Sequence, residues 1–342
     1  MWYHGEKSQG DPPMSKPAVL VTRIIPEKGL ALLRAETDLQ IWPGELPPSR
    51  SELLELVKGK SGILCMLSDP MDREIISAAS PELKVISTYA VGYDNIDIQE
   101  AAKRHIFVGN TPGILTDATA DFAWALLMAA ARRLPEGERH VRTGAWKNWS
   151  PSTLLGTDFK DSTLGVIGFG RIGQAVARRA SGFDMHVLFY SPSRAPVEGI
   201  NAQKVEDLDE LLRNSDFISL HLPLTAQTKH LVNAQFLAKM KPGAILINTS
   251  RGAVVDQEAL YHALKEKYIA AAALDVTDPE PLPVDHPLLT LENCLITPHI
   301  ATAGRQTREK MAVVAAQNLL AGLHGTPLPY CINPQAYKAK DL

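Results

Sequence analysis

Three side chains in the C-terminal half, Arg251, Glu280 and His299, are of the types that reduction of a 2-oxo acid needs together. Each leaves an apolar, strand-like run: Arg251 in Asn248-Thr-Ser-Arg251-Gly252, Glu280 in Asp275-Val-Thr-Asp-Pro-Glu280-Pro281, and His299 in Thr297-Pro298-His299. Hydride arriving at a carbonyl carbon leaves an alkoxide that must take a proton, and a neighbouring carboxylate needs a cation to fix it. Arg251 offers a fork of donors for that carboxylate, His299 a proton, and Glu280 a partner that orients the imidazole. Taken singly, each has a plainer reading as a surface charge, a satisfied polar group or a loop acid. The three become informative as a set.

A hydride source is written upstream, in Val166-Ile-Gly168-Phe169-Gly170-Arg171-Ile172-Gly173. Gly168 permits the tight turn off a strand, Gly170 lets the backbone approach a pyrophosphate, and Gly173 lets the next helix pack closely. Residues 174–180 are good helix formers, so the positive end of a helix would face the phosphates. Residues 163–167 and 186–190 are the flanking strands. About 20 residues past such a turn an NAD enzyme usually places an acid for the ribose 2′-hydroxyl. Here Tyr190-Ser191-Pro192-Ser193-Arg194 offers two hydroxyls and a guanidinium, which suit a 2′-phosphate. NADP(H) is therefore expected in preference to NAD(H), with a solvated loop charge as the alternative reading of Arg194.

The elements that must carry these groups fill a chain of 342 residues, long enough for two domains. Strand-like and helical runs alternate at 19–21, 29–35, 63–67, 72–79, 83–87 and 107–108, and strands recur at 217–220, 244–248, 271–275 and 294–297. This alternation predicts parallel sheets covered by helices. A long helix through Arg132 is expected, capped by Thr116 or Asp117. Net charge is -3, with no basic stripe for nucleic acid. The apolar run at 122–131 is too short to span a bilayer. Three scattered cysteines, Cys65, Cys294 and Cys331, show no metal spacing and fit a reduced, cytoplasmic setting. Residues 1–16 are expected to be a disordered extension.

The chain resembles the D-isomer-specific 2-hydroxyacid dehydrogenase family, most closely its glyoxylate reductase/hydroxypyruvate reductase branch. The marks are Tyr89-Ala-Val-Gly-Tyr-Asp-Asn-Ile96, Asn110-Thr-Pro-Gly-Ile-Leu-Thr-Asp-Ala-Thr119, the glycine turn, Ser250-Arg-Gly-Ala-Val-Val-Asp256, Leu274-Asp-Val276 and Pro298-His299-Ile300. The resemblance implies an α/β fold of two Rossmann-like, doubly wound parallel-sheet domains. One is a discontinuous substrate domain, 17–115 with 299–342, and the other a dinucleotide domain, 116–298, carrying a dimerisation helix and arm. It implies Arg251, Glu280 and His299 as the catalytic set and the N–H groups of Val91 and Gly92 as the rest of the carboxylate site. Pro223, Thr249, Asp275 and Ala301 would join the glycine turn and Ser191, Ser193 and Arg194 around the cofactor. A homodimer is also implied, with Trp149 a candidate substrate contact across it, although packing at the dimer interface is the plainer role for Trp146 and Trp149.

Two departures bear on the cofactor: Ala301 stands where the family often has Gly, and Pro192 where related NADP enzymes often have Arg. The resemblance implies reduction of glyoxylate and hydroxypyruvate. A 2-ketogluconate reductase is the alternative substrate reading, and a nicotinamide-sensing corepressor is the alternative from outside catalysis.

Overall fold

The computed structural model describes residues 15–338. Residues 1–14 of the expected extension lie outside it, while the Lys16 ammonium donates to the carbonyl of Ala35 at 2.8 Å. In chain order the elements are β1 (Ala18–Val21), α1 (Glu27–Glu36), β2 (Asp38–Ile41), α2 (Arg50–Leu56), β3 (Gly62–Cys65), α3 (Arg73–Ala79), β4 (Val85–Thr88), α4 (Ile98–Lys103) and β5 (Phe107–Gly109). There follow α5 (Thr116–Ala131), α6 (Leu134–Arg142), β6 (Thr163–Ile167), α7 (Arg171–Ala180), β7 (His186–Tyr190), β8 (Gln203–Lys204), α8 (Leu208–Asn214), β9 (Phe217–Leu220), α9 (Ala234–Lys239), β10 (Ile245–Asn248), α10 (Gln257–Lys265), β11 (Ala271–Leu274) and β12 (Cys294–Ile296). The last two are α11 (Arg305–Leu323) and α12 (Gln335–Lys338).

The chain divides into two compact units, one of residues up to 112 together with those from 308, the other of 113–307. In the first, five parallel strands lie in the order β2-β1-β3-β4-β5. One core gathers Leu53, Ile63, Ile75, Ile76, Ile86 and Val108. Helix α11 packs so closely on this unit that a Cβ on Gly109 would lie 2.8 Å from the Asn318 side chain. Asn318 is fully buried; its amide donates to the Asn110 carbonyl at 2.8 Å and its oxygen accepts from the Tyr330 N–H at 3.0 Å.

The second unit holds seven parallel strands in the order β12-β11-β10-β9-β6-β7-β8. Strand side chains alternate faces, and the cores show it. Val166, Phe217, Ile245, Ile247 and Ala273 join the cluster shared with α5 and α7, while Ile167, Ile218, Leu246 and Leu274 join the one shared with α8, α9 and α10. Trp124 of α5 stacks on Phe183 at 4.6 Å and donates its indole N–H to the Val176 carbonyl at 3.0 Å, tying α5 to α7.

Several boundaries differ from those read in the sequence. Helix α5 begins on Leu115 with no side-chain cap, so Thr116 and Asp117 stand inside its first turn, and it ends at Ala131 with Arg132 as its C-cap. Helix α7 starts at Arg171, directly on the glycine turn, because Gly170 is its N-cap. Asp72 does not begin α3 but caps it, accepting from the N–H groups of Glu74 and Ile75.

Removing the Asn318 amide strands two backbone groups, at about 1–3 kcal/mol for each unpaired buried group. Asn318→Ala is expected to lower the unfolding free energy by about 2–4 kcal/mol in denaturant titration; a loss under about 1 kcal/mol would show that these ties are dispensable.

Candidate active site

The strand order of the second unit reverses between β6 and β9, and open parallel sheets bind ligands beyond the C-terminal strand ends at such a point. Gly168 leaves β6 at φ 92°, donating its N–H to the Tyr190 carbonyl at 3.0 Å. A Cβ on Gly168 would lie 2.4 Å from the His221 carbonyl, and one on Gly173 2.1 Å from the Gly168 carbonyl. Gly170 faces open space, with nothing within 4 Å of its would-be Cβ. Two glycines are thus demanded by packing, while the third leaves room over the N-terminus of α7, whose first N–H groups have no intrahelical acceptor. That arrangement fits a dinucleotide pyrophosphate. The Phe169 side chain is turned into the core, stacked on Phe189 at 3.8 Å, so only its backbone is available to a cofactor.

Beyond β7, Ser191 is buried, whereas Ser193 and Arg194 are exposed. Arg194 has no hydrogen bond or ion pair with another described residue. Pro223 is an exposed loop residue whose carbonyl accepts from the Thr228 hydroxyl at 2.7 Å. The Thr249 hydroxyl, just past β10, is buried and has no partner among the described residues.

The three side chains expected to be catalytic stand beyond the ends of β10, β11 and β12. Asn248 folds the Arg251 turn, donating to the Arg251 carbonyl at 2.9 Å and accepting from the Ser250 N–H and hydroxyl. A Cβ on Gly252 would lie 1.9 Å from the Thr277 carbonyl, so this turn is pressed against the loop that bears Glu280. In that loop the Thr277 N–H donates to Glu280 Oε1 at 3.0 Å. His299 Nδ1 lies 2.8 Å from Glu280 Oε2. A carboxylate only accepts, so the proton of this link belongs to Nδ1, leaving Nε2 for proton exchange. Burial pushes the Glu280 carboxyl up, but the His299 hydrogen bond, the Thr277 N–H and the Arg251 guanidinium outweigh it and hold the group below the usual carboxylate range.

Asp275 organises the His299 loop, a role that the residue types alone did not disclose. It is 1% exposed, and its oxygens accept from the Thr297 hydroxyl at 2.7 Å, the Ile300 N–H at 2.9 Å and the Ala301 N–H at 2.7 Å. Its own carbonyl accepts from the His299 N–H at 2.9 Å. His299 is held at φ 53°, the left-handed region that few non-glycine residues adopt.

Val91 and Gly92 lie in the first unit, in the loop after β4, and their N–H groups donate to no described residue. Trp149 is 77% exposed and sits beyond α6, a helix with no buried residue.

A doubly wound parallel sheet with this glycine turn, beside an Arg, a Glu–His pair and a buried Asp, defines an oxidoreductase that takes a nicotinamide cofactor. The comparisons place it more narrowly. Residues 124–301 match the model of the D-isomer specific 2-hydroxyacid dehydrogenase NAD binding domain. A glyoxylate reductase of Korarchaeum cryptofilum is 51% identical over 327 residues, covering 95% of this chain and 98% of that one. The crystal structure of a protein from Thermus thermophilus superposes with a TM-score of 0.87 at 48% identity, covering 92% of this chain and 99% of that one. An NADPH-dependent glyoxylate/hydroxypyruvate reductase from Sinorhizobium meliloti, solved with NADP and malonate, superposes with a TM-score of 0.81 at 32% identity, covering 94% and 98%. The chain belongs to the D-isomer-specific 2-hydroxyacid dehydrogenase family.

Because the Gly168 carbonyl fills the place of a side chain at Gly173, Gly173→Val is expected to abolish NADPH or NADH binding in a fluorescence titration. Binding at wild-type affinity would remove the turn from the cofactor site.

Proposed function

We propose that this protein is a glyoxylate reductase that also reduces hydroxypyruvate to D-glycerate and prefers NADPH to NADH. The observation that carries the reading is the His299–Glu280 pair, 2.8 Å apart and within the field of Arg251, on the same unit as the dinucleotide turn. In this reading that unit holds the cofactor, and the unit with Val91 and Gly92 forms the substrate domain.

The bound nicotinamide would supply the hydride. Arg251 pairs with the substrate carboxylate and, with the Val91 and Gly92 N–H groups, fixes which face of the carbonyl is presented. As negative charge develops on the carbonyl oxygen, the guanidinium draws it and His299 Nε2 delivers the proton that makes the alcohol. Glu280 keeps the imidazole in place and, by accepting from Nδ1, turns Nε2 to the substrate. Asp275 supports the step at one remove, by fixing the loop on which His299 stands.

Preference for NADPH rests on Ser191, Ser193 and the unengaged Arg194, and on the absence of an acid at the end of β7. A homodimer is proposed from the exposed apolar residues of the arm, Leu134, Val141, Trp146, Trp149 and Leu155, each more than half exposed, since monomers rarely leave such a run in water. Trp146 and Trp149 would then pack at the dimer interface, with Trp149 a candidate contact to the partner's substrate. Cytoplasmic residence is supported by Cys65 and Cys294 being thiols.

Initial rates with NADPH and NADH, each against glyoxylate, hydroxypyruvate and 2-ketogluconate, test the reading directly. NADPH with glyoxylate or hydroxypyruvate is expected to give the highest kcat/KM, and Arg194→Glu to reverse the cofactor ratio; an unchanged ratio removes Arg194 from selectivity. Glu280→Gln is expected to reduce kcat at neutral pH by about 10²-fold, in the range of general acid–base contributions. Since the Glu280 carboxyl is held low, the wild-type advantage is full at neutral pH and shrinks only as acid protonates the group, below the ordinary glutamate range. A ratio that stayed constant through that acid range would show that the Glu280 charge is not what matters.

A further inference from the structure

In the first unit two consecutive peptide groups are fastened by their carbonyls. The Ala90 carbonyl accepts from the Thr111 N–H at 2.9 Å, and the Val91 carbonyl accepts from the Asn110 side-chain amide at 2.8 Å. A trans peptide sends its N–H opposite to its C=O, and the cis bonds of the described chain all precede proline. The N–H groups of Val91 and Gly92 are therefore turned away from Asn110 and Thr111, and both are left without a partner among the described residues. These are the two donors that the proposed function gives to the substrate carboxylate.

The two fastenings are not equivalent. The Thr111 bond runs main chain to main chain, so any residue but proline makes it. The Asn110 bond depends on a side chain, and the peptide it holds ends in Gly92, which has no Cβ to oppose a flip. If that peptide turned over, the Val91 oxygen would replace the Gly92 N–H and repel a carboxylate. The rest of the loop is anchored independently: Asn95 donates to the carbonyls of Met66 at 3.0 Å and Asp69 at 2.7 Å, and its own carbonyl accepts from the Met71 N–H at 2.8 Å. The Asn110 backbone is secured as well, its carbonyl by Asn318 at 2.8 Å and its N–H by the Tyr330 carbonyl at 3.3 Å.

We propose that Asn110 is a positioning residue for the oxo acid, its side-chain amide locking the Val91–Gly92 peptide with the N–H toward the substrate carboxylate. This rests on the reading of Val91 and Gly92 as part of the carboxylate site. Because the Asn110 backbone is held by other groups, truncating its side chain releases the peptide without dismantling the loop.

The test uses the full-length enzyme with oxamate as an unreactive carboxylate probe. Ki for oxamate, KM and kcat for glyoxylate, and Kd for NADPH are measured in Asn110→Ala, with Asn110→Ser as the second variant should the first fail to fold. Loss of one hydrogen bond to a charged group is expected to raise Ki and KM by roughly tenfold or more, with a smaller change in kcat and none in NADPH affinity. A role confined to stability would lower the melting temperature and leave Ki alone. Gly92→Pro, which deletes the N–H itself, is expected to raise Ki similarly, and adding Asn110→Ala to it should change Ki by no more than about twofold, because both act through one donor. Unchanged Ki in the Asn110 variants beside a raised Ki in Gly92→Pro overturns the proposal and leaves the carboxylate site standing; so do effects that multiply in the double variant. Unchanged Ki in Gly92→Pro removes the Gly92 N–H from the site, and the proposal with it.

Discussion

A carboxylate buried at the end of β11 is the constraint on which the rest of the site depends. Burying such a group is costly unless donors replace the lost water. Asp275 is 1% exposed, and the donors it takes all belong to the segment from Thr297 to Ala301. The segment cannot relax without abandoning that carboxylate, which is why His299 stays in a left-handed conformation that costs of order 1–3 kcal/mol elsewhere. Once His299 is fixed, Glu280 has a partner, and the Glu280 loop is itself pressed on the Arg251 turn through Gly252 and Thr277. Satisfying one buried acid thus fixes His299 and the position in which Glu280 meets it, while Asn248 folds the neighbouring Arg251 turn.

The same strand ends explain why the glycine turn tolerates so little change. His221 leaves β9 beside β6, donating its N–H to the Ile167 carbonyl at 2.8 Å and placing its own carbonyl against Gly168. Its ring is 2.8 Å from the Ser219 hydroxyl, and burial pushes the imidazole down to about 3, so it stays neutral near physiological pH. Polar but uncharged groups therefore pack behind the turn, and the turn's own backbone is left to meet an anion.

Much of this was legible in the sequence, for reasons that also explain what was not. Strands β6, β7 and β9 fall on the residues expected, because short apolar runs bounded by turn signals have few other uses in a parallel sheet. Short helices such as α2, α4 and α9 span six or seven residues, too few for a helical period to stand out, and α6 has no buried face to leave a pattern. The misread cap of α5 has a local cause: Thr116 and Asp117 are good capping types, but the helix enters from Leu115 with no side-chain bond at all. Within the site, Arg251, Glu280 and His299 could be proposed from residue type and position after strands. The donors that occupy Asp275 could not, since two of the three are backbone N–H groups whose direction depends on a loop with a positive φ at His299.

The proposed reaction brings two anions, a pyrophosphate and a carboxylate, to a chain whose net charge is -3. A cluster of lysines would attract them but would also hold its members against self-repulsion and lose side-chain entropy when they bind. In the proposed reaction each anion would instead meet main-chain N–H groups at a glycine: the start of α7 over Gly170, and the Val91–Gly92 peptides. Such donors are fixed by folding itself, through the packing of Gly168 and Gly173 in one case and the fastened carbonyls of Ala90 and Val91 in the other. In that proposal Arg251 adds a delocalised charge at the substrate end that reacts, pairing with the carboxylate and answering the charge that forms on the carbonyl oxygen.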